Sequence, residues 1–267
     1  MSQFERNHDG AALGASHQVP LEDQRSVYPY TVRGEATMPD HRELLRRQNM
    51  IHTTYLYLAV AVFGCMAGAY WGSHSEGFLK FMFSSSFLFL GALIVLNFVP
   101  RLALQVAEKN PRMAVPALAG VGGVSGLCLA PLVFLGLRMS GQAQGMDGGG
   151  NLVSTAIVIT GAMFAAVTAY VHINKTQFKM RPAMTWGLFG FILVAIPANL
   201  FLQSSIFGII ISGLAGMLGV YQLAAGTSLI VTNRNFNSPA AGALVLFAGV
   251  FNLFQSVLSL LIAGGRD

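Results

Sequence analysis

The chain has 267 residues, of which 54% are hydrophobic and only 10% are charged, and its formal net charge at pH 7 is +5. A soluble domain carries about 25% charged residues, so this composition excludes an ordinary soluble protein and predicts an integral membrane protein. We attribute the positive charge to membrane topology and expect no nucleic-acid partner.

The first 43 residues are polar and lack an apolar periodicity. They are rich in Asp, Glu, His, Arg, Gly and Pro, which is typical of disordered chain. The first apolar stretch begins only near Tyr55 and is too long for the hydrophobic region of a signal peptide. We therefore predict a tail over residues 1–43, disordered or ordered by a partner, and a transmembrane domain over residues 44–267.

Seven apolar stretches follow, each long enough, or nearly so, to cross a hydrocarbon layer about 30 Å thick. They are Tyr55–Trp71, Phe78–Val99, Val115–Leu137, Leu152–Ile173, Trp186–Phe201, Ile206–Ala225 and Pro239–Ala263. The fifth and sixth are so close in sequence that they predict a tight helical hairpin. A polar turn over residues 232–237 separates the last two, and Pro239 favours a helix start there. The sequence thus predicts an all-α bundle of seven transmembrane helices.

The loop charges predict the orientation, because Lys and Arg are retained on the cytoplasmic side. With the amino terminus inside, the inner loops hold Arg42, Arg46, Arg47, Arg101, Lys109, Arg112, Lys175, Lys179, Arg181 and Arg234. The outer side holds Lys80, Arg138 and Arg266. Seven spans, with the amino terminus inside and the carboxyl terminus outside, satisfy this bias. A last segment that inserts only halfway is the alternative.

Small residues indicate where the helices pack, because helices in lipid use them for close approach. Glycines four residues apart occur in the first span and again in the third, and the sixth span adds a glycine-rich face. The predicted packing glycines are Gly64, Gly68, Gly122, Gly126, Gly216 and Gly219.

The segment Gly123-Val124-Ser125-Gly126 matches the G-x-S-G of rhomboid-type intramembrane proteases. That chemistry needs a histidine at the depth of the serine to accept its proton. The one intramembrane histidine, His172, lies near the inner end of the fourth span, whereas Ser125 is near mid-span. About ten residues at 1.5 Å each separate them by about 15 Å in depth, beyond hydrogen-bond reach. We therefore expect a packing surface here, and no enzyme.

No metal centre or cofactor is predicted. Cys65 and Cys128 lie in apolar segments without CxxC or Cys–His spacing, which is typical of small buried hydrophobic residues. The sequence has no HExxH motif and no histidine pair at ligand spacing. The glycine-rich stretch over residues 145–150 lacks the Lys and Ser/Thr of a phosphate-binding loop.

The polar residues that remain inside the predicted spans are neutral amides: Asn97, Asn199, Gln222, Asn252 and Gln255. Such amides usually form hydrogen bonds between helices, each contributing about 1 kcal/mol. Asn252 and Gln255 are three residues apart and therefore share one face of the last helix. The alternative is that these amides line a polar path through the bundle.

Residues 242–254 read Gly-Ala-Leu-Val-Leu-Phe-Ala-Gly-Val-Phe-Asn-Leu-Phe, residues 225–230 read Ala-Gly-Thr-Ser-Leu-Ile, and residues 55–59 read Tyr-Leu-Tyr-Leu-Ala. These segments resemble the signatures of the Bax inhibitor-like family, the transmembrane Bax-inhibitor-motif proteins. The first resembles an Ala-Leu and Leu-Tyr-Leu-Asp run leading into Asn-Leu-Phe, and the second resembles the family's Tyr-Asp-Thr-Gln segment. The resemblance covers about Leu44 to Ala263 and implies six helices around a central seventh.

The departures from the family bear on function. Members studied as proton-sensitive calcium leaks carry two facing aspartates, one on each of the last two helices. The matching positions here are Gly226 and Gly249, which we expect to face each other closely. The family's basic latch in the second span also has no counterpart, because that span has only Lys80 at its outer edge. A Ca²⁺ site usually needs carboxylates and a proton sensor needs a titrating group, so we expect neither.

These observations predict a non-catalytic membrane scaffold, accessory subunit or regulator of a larger membrane protein assembly. The alternative is an ion or small-solute leak channel of the Bax inhibitor-like class. The expected partners are the lipid bilayer and other membrane subunits, with the amino-terminal tail docking a partner on the inner side. The expected location is a bacterial inner membrane, with the amino terminus inside; the alternative is a mitochondrial inner membrane.

Overall fold

The computed structural model describes residues 41–84, 86–143, 151–175, 178, 205–233 and 235–265. These residues form α1 His41–His74, α2 Glu76–Ser84, α3 Ser86–Lys109, α4 Ala114–Ala143, α5 Leu152–Asn174, α6 Ser205–Thr232 and α7 Pro239–Gly264. A short 3₁₀ helix, Pro111–Met113, precedes α4. The described residues contain no strand, so the predicted all-α class is confirmed.

Five of the helices, α1 and α4 to α7, are long and apolar enough to cross a membrane. They correspond to the first, third, fourth, sixth and seventh predicted spans. The second predicted span, Phe78–Val99, falls on α2 and α3, which cover its described residues. The fifth predicted span and residues 1–40 of the tail lie outside the described residues.

The starts of α5 and α7 follow from local sequence. Asn151 precedes α5, and its side-chain oxygen accepts hydrogen bonds from the first free backbone N–H groups, including that of Val153 at 3.0 Å. Ser238 precedes α7 and accepts from Ala241 N at 3.3 Å, while Pro239 occupies the first helical position. Both are residue types preferred at helix N-caps, and the predicted helix start at Pro239 is confirmed.

Hydrogen bonds between distant segments show which helix ends lie together. One end of the bundle, termed here the Ser238 end, is joined by Arg47 Nη2 to Val231 O, by Ser238 Oγ to Glu108 Oε1, and by Phe178 N to Ser228 Oγ. At the opposite end, termed the Ser140 end, Leu152 N donates to Ser140 Oγ over 3.0 Å. The ends of α3, α5 and α6 at Lys109, Asn174 and Thr232 therefore lie together, and Ser140 of α4 and Leu152 of α5 lie at the other end.

Helix α7 occupies the centre of the bundle. It packs against α3, α4, α5 and α6, and Gly242 brings it to α1, where an added Cβ would lie 3.0 Å from Thr54 Cγ2. The main hydrophobic core includes Leu246, Phe247 and Leu253 of this helix, all buried. These contacts agree with the central position predicted for the last span.

The outer faces of the long helices are apolar and exposed. Phe63 is 70% exposed, Ile173 78% and Ile206 74%. Water would penalise this much uncovered apolar surface, whereas lipid chains accept it. The described helices thus form a bundle whose outer surface suits the hydrocarbon layer.

Candidate functional site: the interface of the last two helices

Helices α6 and α7 form a closely packed, uncharged pair. Neither contains an Asp, Glu, Lys or Arg. An added Cβ at Gly219 would lie 2.8 Å from Leu253 N and 3.0 Å from Gly249 O, so the two backbones nearly touch there. Farther toward the Ser140 end, a Cβ at Gly216 would lie 3.3 Å from Ser256 Cβ. These glycines permit the close approach that packing in lipid favours.

The two positions of special interest, Gly226 and Gly249, have different nearest neighbours. A Cβ at Gly226 would lie 2.8 Å from Val245 Cγ1 and 3.3 Å from Leu246 Cδ2. A Cβ at Gly249 would lie 2.8 Å from Leu223 Cγ and 3.0 Å from Leu223 N. The two glycines are therefore offset by about three residues along the pair, or about 4.5 Å. Apolar groups of the facing helix occupy the space that a side chain at either position would need.

A hydrogen bond between side chains joins the pair. Asn252 Nδ2 donates to Gln222 Oε1 over 2.8 Å, and both residues are partly buried. Gln255, the other amide of α7, is also partly buried. Asn97 lies on α3, but its side chain is outside the described part of the chain, and so is the whole of Asn199. Of the five predicted amides, the structure thus brings two into direct contact.

A second close contact, between α1 and α4, brings together the two glycine pairs. Gly64 and Gly68 face α4, while Gly122 and Gly126 face α1. At Gly126, for example, an added Cβ would lie 2.7 Å from the nitrogen of Ala69. Backbone thus lies against backbone, a geometry that excludes any residue with a side chain.

Two buried hydroxyls, those of Thr160 and Thr227, have no hydrogen-bond partner in the described structure, whereas the hydroxyls of Tyr55 and Thr168 interact with each other. Thr160 and Thr168 are eight residues apart on one face of α5, and His172 continues this row. The His172 ring centroid lies 6.2 Å from that of Tyr55. Sequence reasoning missed these hydroxyls, although the spacing of the two threonines and the histidine was the available signal. Buried hydroxyls usually find a partner, so this row is a candidate polar site.

A family model described as inhibitor of apoptosis-promoting Bax1 matches residues 47–266. The chain belongs to this Bax inhibitor-like family.

The relatives are bacterial. An uncharacterized protein of Campylobacter jejuni is 28% identical over 214 residues, covering 79% of this chain and 87% of the relative. An uncharacterized protein of Helicobacter pylori is 23% identical over 220 residues, covering 82% and 89%. A protein of Vibrio cholerae described as an uncharacterized membrane protein is 29% identical over 117 residues, covering 43% and 52%. Bacterial relatives of this kind favour a bacterial membrane as the location of this Bax inhibitor-like protein.

In this Bax inhibitor-like chain, Ser125 of the G-x-S-G segment and His172 lie on different helices. Ser125 is buried on α4 beside the glycine contact with α1. His172 is exposed on α5, and its Nδ1 lies 2.9 Å from the carbonyl oxygen of Thr168 in the same helix. A carbonyl only accepts, so this nitrogen carries the proton of that bond. Among the described residues, no three His, Cys, Asp or Glu side chains are grouped as metal ligands.

Proposed function

We propose that this Bax inhibitor-like protein is a non-catalytic scaffold, accessory subunit or regulator within a larger membrane protein assembly. The observation that carries the proposal is the packing at Gly226 and Gly249, the positions at which the family resemblance places paired aspartates. Val245 and Leu246 fill the space beside the first, and Leu223 fills the space beside the second. Glycine supplies no charge at these two positions. The apolar neighbours also leave no room for a side chain that could bind Ca²⁺ or exchange a proton.

The surroundings of these glycines support the same function. The Asn252 amide donates to Gln222 Oε1, so this oxygen already has a hydrogen-bond partner within the protein. An interior built from glycine contacts and one amide pair is suited to a rigid packing role. Rigid bundles of this kind present constant outer faces to neighbouring membrane proteins.

The setting proposed for this function is a bacterial inner membrane, with the amino terminus on the cytoplasmic side. The loop charges support this orientation, because the Ser238 end carries most of the exposed Lys and Arg residues of the described chain. Residues 1–43 would then be available on the cytoplasmic side to dock a partner. The proposal includes no enzymatic activity and no resident cofactor.

The test combines assembly and flux measurements on the same preparation. The protein is extracted from native membranes in a mild detergent, and the mass of the particle and its polypeptide stoichiometry are determined. We expect a particle that contains other membrane polypeptides. Their ratio to this chain should stay constant through two successive separations. Liposomes with the purified chain should show no Ca²⁺ flux between about pH 6 and 8 and no Ca²⁺-dependent change in melting temperature. A lone chain that conducts Ca²⁺ or protons would refute the proposal.

A second candidate function, a leak for a small solute, is favoured by the buried hydroxyls of Thr160 and Thr227. Hydroxyls without partners can bond to water or to a small polar solute passing through the bundle. If this function is correct, Thr160→Val should reduce solute flux, while Thr155→Val, on the exposed face of the same helix, should not. Equal flux in the two variants would eliminate this candidate.

A further inference from the structure

The last three turns of α3 carry three distinct rows of side chains. Ala103 and Ala107 are buried against the bundle, at 8% and 6% exposure. Phe98, Leu102 and Val106, each four residues from the next, are 58%, 59% and 46% exposed and form an apolar row about 12 Å long. Residues four apart lie on the same side of a helix, so each of these sets forms a row. The two rows are adjacent because Leu102 and Ala103 are consecutive residues. The exposed apolar row is a surface for acyl chains.

A row of cations lies on the other side of that apolar row. Arg101 and Lys109 are both exposed and stand eight residues apart, about 12 Å along the helix. Arg112, in the 3₁₀ helix that follows, is exposed as well. Two of these cations are next to an exposed apolar residue, Leu102 beside Arg101 and Met113 beside Arg112. Cationic and apolar side chains thus lie next to each other, as the headgroup and the acyl chains of a phospholipid do.

The nearest carboxylate, that of Glu108, forms no ion pair with these cations in the described part of the chain. Glu108 accepts a hydrogen bond of 3.1 Å from the Ser238 hydroxyl, which holds it against the start of α7. In the part of the chain that the structure describes, the one ion pair joins Lys80 to Glu76, near the opposite end of the bundle. Arg138, also toward that end, stacks over the ring of Phe134 at 4.8 Å. The excess of unpaired cations is therefore local to the end of α3.

The depth of Arg101 strengthens the case for a lipid ligand. Lys109 ends α3, whereas Arg101 lies about 12 Å back along the same helix, on the lipid-exposed surface. The second predicted span ends at Val99, so Arg101 follows it by two residues and lies where the hydrocarbon layer meets the headgroups. A phosphodiester headgroup at that depth can accept bidentate hydrogen bonds from its guanidinium.

We propose that Arg101, Lys109 and Arg112 form a binding site for the headgroup of an anionic phospholipid, whose acyl chains lie along Phe98, Leu102 and Val106. This site is independent of the scaffold function proposed above. Basic residues near a membrane surface each strengthen the binding of anionic lipid by about fivefold. Three cations should together provide about a hundredfold preference for an anionic headgroup over a zwitterionic one.

The test compares phosphatidylglycerol with phosphatidylcholine of identical acyl chains, added to the detergent-purified full chain. Lipid retention is measured by native mass spectrometry and protein melting by thermal denaturation. We expect phosphatidylglycerol to be retained preferentially and to raise the melting temperature more than phosphatidylcholine does. Arg101→Gln and Arg112→Gln should each weaken its retention about fivefold, and the triple variant with Lys109→Gln about a hundredfold.

The control variant is Arg138→Gln, which removes a cation from the other end and should keep the full preference. Inorganic phosphate at the same concentration should neither raise the melting temperature nor displace the lipid, because it lacks acyl chains for the apolar row. The single variants preserve the test if the triple variant fails to fold. The proposal would be overturned by equal retention of the two lipids, by an unchanged preference in the single variants, by an equal loss in Arg138→Gln, or by phosphate acting as well as the lipid.

Discussion

The contact between α1 and α4 can be tested by adding a single methyl group. In Gly126→Ala, the new Cβ would lie 2.7 Å from the nitrogen of Ala69 and 2.8 Å from the carbonyl carbon of Cys65, whereas an ordinary contact begins at 3.4 Å. The colliding atoms are backbone, so no side chain can rotate out of the way. The two helices must separate locally by at least about 0.7 Å, the difference between the ordinary and the observed distance.

The expected cost of Gly126→Ala is that of overpacking a close contact, about 1–3 kcal/mol. The matched control is Gly120→Ala on the same helix, because a Cβ at Gly120 meets nothing within 4 Å. Both variants replace a helical glycine with alanine, which by itself favours the helix by about 0.5–1 kcal/mol. The difference between the variants therefore isolates the collision with α1.

The assay is thermal unfolding of the two variants and the parent in one detergent. At about 2–4 °C for each kcal/mol, we expect Gly126→Ala to melt several degrees below Gly120→Ala. Gly120→Ala itself should melt at or slightly above the parent temperature. If the two variants melted at the same temperature, the backbones of α1 and α4 would not be in contact, and the described packing would be refuted.

Three further predictions concern topology and the α6–α7 pair. Cysteine labelling should place Glu108 and the segment after α5 on one side of the membrane and Asp147 on the other; labelling all three from one side would contradict the arrangement of helix ends. Gly249→Asp should melt below Gly249→Ala, because both displace Leu223 and a lone central Asp costs about 2.5–3.5 kcal/mol more; equal melting would indicate a hydrated site and favour the leak function. Gln222→Leu and Asn252→Leu should each destabilise the protein, and the double variant should recover about 0.6–1 kcal/mol of the summed cost; strict additivity would exclude their hydrogen bond.

The sequence was informative wherever one local property determines the outcome. Apolar length predicted five of the described long helices, because crossing a hydrocarbon layer sets a minimum number of residues. Ser238 and Pro239 marked the start of α7, because capping depends on residues adjacent in the chain. The spacing of Gly64 and Gly68 marked a face of small residues. It did not reveal that this face lies against Gly122 and Gly126, since no local pattern encodes which helices are neighbours.

The details of the candidate site depended on relations that the sequence does not contain. Gly226 and Gly249 were expected to face each other closely, but their nearest neighbours are apolar residues, because the register of α6 against α7 is set by packing along the whole pair. The unpartnered hydroxyl of Thr160 was not anticipated, because the orientation of a threonine depends on the neighbouring helices.

The central place of α7 has a consequence for biogenesis. The ribosome makes this helix after every described helix that it contacts, so α1 and α3 to α6 enter the membrane before the element that they surround exists. Until Pro239–Gly264 is inserted, the small and apolar faces that receive it must be covered by lipid or by an insertion factor. A chain interrupted before Pro239 would leave those faces open, and such unfinished bundles would be ready substrates for membrane quality-control proteases.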